Sequence, residues 1–112
     1  MPVLQITTNA VIDDADALAK QASKLTAEIL GKPESYVMVN INGNADLIFA
    51  GTNDPCAHLT LKSLGLPESE TRAYSEKLCG FIEQQLGVSP SRTYIEFFNP
   101  ERHMFGWDNR TF

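Results

Sequence analysis

The residues with the most pointed chemistry sit at two places in the first third of the chain. Pro2 follows Met1 directly, and Lys32 lies between Gly31 and Pro33. If Met1 is removed, Pro2 becomes a secondary amine at the chain terminus. An α-amino group has a reference pKa of about 7.7–8.0, close to working pH. Burial against apolar walls and a nearby ammonium both disfavour its charged form, so the pKa falls. A neutral secondary amine near pH 7 is a good general base, a role typically worth about a hundred- to ten-thousand-fold in rate. A lysine ammonium beside it can hold a substrate carboxylate and stabilise the charge of a developing enolate. Such chemistry requires neither a metal nor an organic cofactor.

Positioning these groups is a matter of secondary structure. Val3 to Thr8 alternates apolar and polar residues, as a half-buried strand does. Asp13, Asp14 and Asp16 then supply a helix cap and acids suited to the positive end of the macrodipole. Leu18, Ala22, Leu25 and Ile29 follow at three- and four-residue steps, giving that helix one apolar face. Gly31 and Pro33 end it. Tyr36 to Ile41 reads as a strand, Asn42-Gly43-Asn44 as a turn, and Leu47 to Ala50 as a short further strand. His58 to Ser63 alternates again. Pro67 opens a second helix with Leu78, Phe81, Ile82 and Leu86 on its apolar side. Gly87 and Pro90 close it, Thr93 to Phe98 is another strand, and the tail from Asn99 is loop-like but aromatic.

The two halves repeat. Leu30-Gly31, Pro33 and Tyr36 after the first helix match Leu86-Gly87, Pro90 and Tyr94 after the second. The chain therefore reads as two tandem β-α-β units, with pseudo-repeats at about 1–56 and 57–112 in one α/β (α+β) domain. Within such a unit the helix carries the chain back, so both parallel strands begin at the same sheet edge. That places Pro2 near Lys32. If a two-fold axis relates the halves, the strand His58 to Ser63 runs antiparallel to the first, and Ser63-Leu64-Gly65 reaches the same edge. The element string by itself also fits a ferredoxin-like domain.

Bulk properties narrow the partners. With 112 residues the chain can bury one modest core. A net charge of −5 leaves no general basic face for nucleic acid or an anionic membrane, so an anionic substrate must meet a local cation. The start lacks a basic segment and a long apolar run, and no stretch is long enough to span a membrane. Two cysteines, Cys56 and Cys79, make no disulfide framework and read as buried small apolar residues. A cytoplasmic location is expected, with leaderless export as a possibility. His58 and His103 lack metal-ligand spacing.

Several motifs, in order, resemble the macrophage migration inhibitory factor family of the tautomerase superfamily. They are Met1-Pro2, Thr8-Asn9, Gly31-Lys32-Pro33 with Tyr36, Asp54-Pro55-Cys56-Ala57, Leu78-Cys79-Gly80, Tyr94-Ile95 and the ending Gly106-Trp107-Asp108-Asn109-Arg110-Thr111-Phe112. The resemblance runs nearly end to end. It implies a homotrimer with active sites at subunit interfaces, and tautomerisation of aryl α-keto acids such as phenylpyruvate, with dopachrome-type quinones as accessory substrates. It also implies roles: Pro2 as catalytic base, Lys32 and the Leu64 backbone amide at the substrate carboxylate, and Tyr94 from a neighbouring subunit. Phe105, Trp107 and Phe112 fall on the apolar pocket wall.

Three positions depart from the family pattern. Glu96 stands where mammalian members have an asparagine facing the distal end of the substrate. A carboxylate there can accept a phenol hydrogen bond, but it adds negative charge and would raise the pKa of a nearby Pro2 amine. Phe105 replaces a smaller valine and would narrow the pocket. Cys56-Ala57-His58-Leu59 breaks the family's Cys-x-x-Cys, which removes support for thiol–disulfide activity. The alternative function is a cytokine-like, receptor-binding protein with a vestigial tautomerase site. Ile12, where mammalian members carry a receptor-contacting arginine, counts against it.

Overall fold

A computed structural model describes all 112 residues. Its main sheet has four strands, β1 (Val3–Thr8), β2 (Met38–Asn42), β3 (Ala57–Lys62) and β4 (Thr93–Phe98), in the order β2-β1-β3-β4. Helix α1 (Ala15–Leu30) links β1 to β2, and α2 (Thr71–Leu86) links β3 to β4. β1 pairs parallel with β2, β3 pairs parallel with β4, and β1 meets β3 antiparallel at the centre. Direct β1–β2 pairing excludes the ferredoxin-like alternative, in which the βαβ unit is split by an intervening strand.

The repeat is structural. Both helices have 16 residues, and each ends on a left-handed glycine, Gly31 at φ 63° and Gly87 at φ 68°. Asp14 caps α1 by accepting the Ala17 N–H at 3.0 Å. The helices cover one face of the sheet. There Leu4, Ile6, Leu59 and Leu61 from the central strands pack with Leu78 and Ile82 of α2, each at most 1% exposed. Burying one such side chain contributes about 1.5–3 kcal/mol. Period-two alternation sends Gln5, Thr60 and Glu96 to the opposite, open face.

Four details differ from the sequence expectation. Leu47 to Ala50 forms no strand; only an isolated bridge, Phe49 to Thr52, is present. Ala50 and Gly51 take positive φ, which turns the chain before a ladder can extend. The segment is instead held from outside. Asn9 Nδ2 donates to the carbonyls of Asn53 and Asp54, and Arg92 donates to those of Phe49, Asp54 and Pro55. Tyr36 closes a 3₁₀ turn (Glu34–Tyr36) rather than starting β2. The tail is not loop alone: β5 (Gly106–Trp107) and β6 (Arg110–Thr111) form a hairpin. Asp108 and Asn109 at its tip both have positive φ, the geometry a two-residue turn of this kind needs. Finally, Cys56 is buried, but Cys79 is only half-buried, because it sits beside rather than on the apolar face of α2.

Candidate active site

The edge geometry holds. Met1-Pro2, the turn after α1 and the end of β3 converge at one end of the sheet. Pro2 is buried, with less than 2% of its surface exposed. Its carbonyl accepts the Met38 N–H at 3.0 Å, which ties the start of β1 to the start of β2. The Lys32 side chain crosses to the end of β3, where Nζ donates to the Leu64 carbonyl at 2.6 Å and to Ser63 Oγ at 3.0 Å. Ser63 is fully buried. Two of the three ammonium protons are thereby directed, and the Met1 amine lies beside the same ammonium. No protein acceptor takes the Leu64 N–H. An ammonium and a free backbone N–H together suit a carboxylate.

Electrostatics at this edge act on the chain's terminal amine. As the chain stands that amine belongs to Met1, and Pro2 nitrogen is a peptide nitrogen. The Met1 amine is held below the ordinary α-amine range, first by burial and then by the positive charge of Lys32. Both causes belong to the location rather than to methionine.

A cavity of about 380 Å³ opens on Pro2, with Tyr36, Met38, Phe105 and Trp107 among its walls. Trp107 stacks on Phe112 at 6.0 Å and 14°, and Phe112 meets Phe105 at 5.9 Å. The Phe112 N–H bonds to the carbonyls of Arg102 and Phe105, which pins the tail against the hairpin. Phe105, with Val3 and Gly106, also borders a second hollow of about 560 Å³ lined by Lys62, Phe98 and Met104.

Of the residues expected at the site, Pro2, Lys32, Leu64, Phe105, Trp107 and Phe112 gather at this end. Tyr94 and Glu96 do not. Thr7 and Tyr94 are the outer partners of His58 across the sheet, whereas Val3 shares its row with Lys62 and Phe98. Tyr94 therefore lies about 14 Å along the strands and about 10 Å across them from Val3. Its ring packs edge-on against Phe49 at 4.8 Å. Within one chain it cannot reach the cavity.

A family model described as macrophage migration inhibitory factor matches residues 1–112. The chain belongs to the macrophage migration inhibitory factor family. A homologue from Brugia malayi is 37% identical, covering 100% of this chain and 99% of that protein. The Mus musculus macrophage migration inhibitory factor is 32% identical over the same shares. The crystal structure of a Prochlorococcus marinus homologue superposes with a TM-score of 0.93 at 37% identity, covering 98% of each chain. The Trichinella spiralis factor superposes at 0.92 and 36%, covering 98% of this chain and 99% of the other. Membership places the chain within the tautomerase superfamily, and the family is known for tautomerase and cytokine roles.

Some contributors were not assigned to the site from the sequence. Tyr36 and Met38 line the cavity, and Ser63 supports Lys32. Ser63 was foreshadowed only by its place at the shared edge. His58 contacts Glu96, a pairing that β3–β4 register alone creates.

Proposed function

We propose that the protein is a cofactor-free keto–enol tautomerase of aryl α-keto acids such as phenylpyruvate. After Met1 is removed, Pro2 nitrogen takes over the terminal position and acts as the general base. The observation that carries this reading is the lowered pKa of the terminal amine beside Lys32, at the mouth of an aromatic cavity. Lys32 and the Leu64 N–H hold the substrate carboxylate, while Phe105, Trp107 and Phe112 enclose the aryl ring. Pro2 then removes the proton α to the ketone, and the ammonium stabilises the enolate as it forms. The same amine, now protonated, returns that proton to complete the tautomerisation.

Tyr94 and Glu96 enter from a neighbouring subunit of a homotrimer, which accounts for their distance from Pro2 in one chain. The exposed apolar groups fit this assembly: Met38 is 65% exposed, Ile48 68% and Tyr94 65%. Intact mass together with a phenylpyruvate assay tests the proposal. Protein lacking Met1 should be active, and Pro2→Gly should lose about a hundredfold or more in kcat/KM with its oligomer intact. Full activity in Pro2→Gly, or in protein that keeps Met1, rejects the mechanism.

A further inference from the structure

Glu96 is not a free carboxylate. His58 Nε2 lies 2.6 Å from its Oε1, at the short end for a charge-assisted bond. The pair is diagonal: His58 stands opposite Tyr94 in the β3–β4 ladder, and its ring leans two residues along to Glu96. Both side chains project from the open sheet face and remain about half exposed, at 45% and 57%. No other basic group pairs with Glu96. Lys62, on the same face of β3, has its ammonium 5.5 Å from the centroid of the Phe98 ring. From β1 the facing residues are Gln5 and Thr7, which do not titrate, and Gln5 already accepts from Thr60 Oγ1 at 2.9 Å. Tyr94 flanks the pair, with its ring committed to Phe49.

We propose that His58 is the positioning residue that caps Glu96, and that this cap sets how tightly the site accepts an aryl acid. The inference rests on the reading that Glu96 enters a neighbouring subunit's pocket. Two costs arise if the carboxylate arrives there bare. An apolar ring packed against it strips water from a charge without replacing the lost hydrogen bonds. The substrate is itself an anion, so its carboxylate and Glu96 repel across a pocket drier than water. The His58 N–H answers the first of these by replacing a lost hydrogen bond. It satisfies Oε1 and restrains the Glu96 side chain. An apolar residue at position 58 would leave the same glutamate as an obstacle.

The test uses the processed protein and cinnamate, an aryl acid that binds without turnover, with affinity read by calorimetry. His58→Leu should weaken cinnamate by about fivefold or more, and His58→Leu/Glu96→Gln should recover most of that loss. His58→Gln keeps a donor at the end of the side chain and should recover it too, which guards against a folding artefact in the leucine variant. Recovery on removing the second partner is what a purely structural role would not produce. Unchanged affinity in His58→Leu, or a loss that persists in the double variant, overturns the inference. Phenylpyruvate turnover by the same wild-type sample separates the two readings. Turnover without the cinnamate pattern refutes the His58 cap alone. The pattern without turnover refutes the tautomerase reading and leaves the cap standing. Wild-type protein that neither binds nor turns over refutes both.

Discussion

Lys32 shows how one side chain is assigned several tasks by its surroundings. Its stem leaves the turn after α1, and its ammonium is held by Ser63 Oγ and the Leu64 carbonyl. From there it lowers the pKa of the terminal amine. The sign for catalysis follows directly. A lowered pKa leaves the base neutral at a lower pH, so the acid limb of kcat/KM should lie below the usual α-amine range. Lys32→Leu removes the positive neighbour, so that limb should move to higher pH. The same variant should raise KM for phenylpyruvate by about tenfold or more, because a charge-assisted bond to the carboxylate is lost. A pH–rate profile with fixed substrate series reads both effects. A limb that stays in place would separate Lys32 from the base. The nearness of the chain's start to Lys32 was legible because both parallel strands of a β-α-β unit begin at one sheet edge. Ser63 was not, since a serine after a strand is common and only its burial under Lys32 marks it.

At the scale of elements, Gly31 sets where Lys32 begins. Gly31 takes φ 63° at the end of α1, and its N–H bonds back to the helix carbonyls. A Cβ added there would meet nothing within 4 Å, so the cost of a side chain is purely conformational. Gly31→Ala should therefore destabilise the protein by about 1 kcal/mol, measured by chemical denaturation. Unchanged stability would show that the turn can relax without the left-handed residue. Both helices and all four main strands were legible, because their apolar periods of 3.6 and 2 agree with their caps. The segment around Leu47 to Ala50 misled for a physical reason. Its apolar run has strand character, yet positive φ at Ala50 and Gly51 turns it after a single bridge, and Asn9 and Arg92 take its carbonyls. The C-terminal hairpin was missed because Asp-Asn is a weaker turn signal than Asn-Gly or Asp-Gly.

The whole subunit presents two edge strands, β2 and β4, and an open sheet face carrying large apolar groups. Exposed edges are normally blunted or covered. The proposed homotrimer would cover them, so light scattering should give three times the 12.4 kDa chain mass at micromolar concentration. A stable monomer would remove Tyr94 and Glu96 from the site and with them the shared-pocket reading. The sequence by itself determined the two β-α-β halves, the nearness of the chain's start to Lys32 and the aromatic character of the ending. Periodicity, caps and parallel connection are local rules, and local rules survive without coordinates. Only the tertiary structure decided that Lys32 reaches Leu64, that Phe105 borders two hollows and that His58 engages Glu96. These depend on strand register and side-chain direction. A one-residue shift in either would reverse every face, and neither is written in the order of the residues alone.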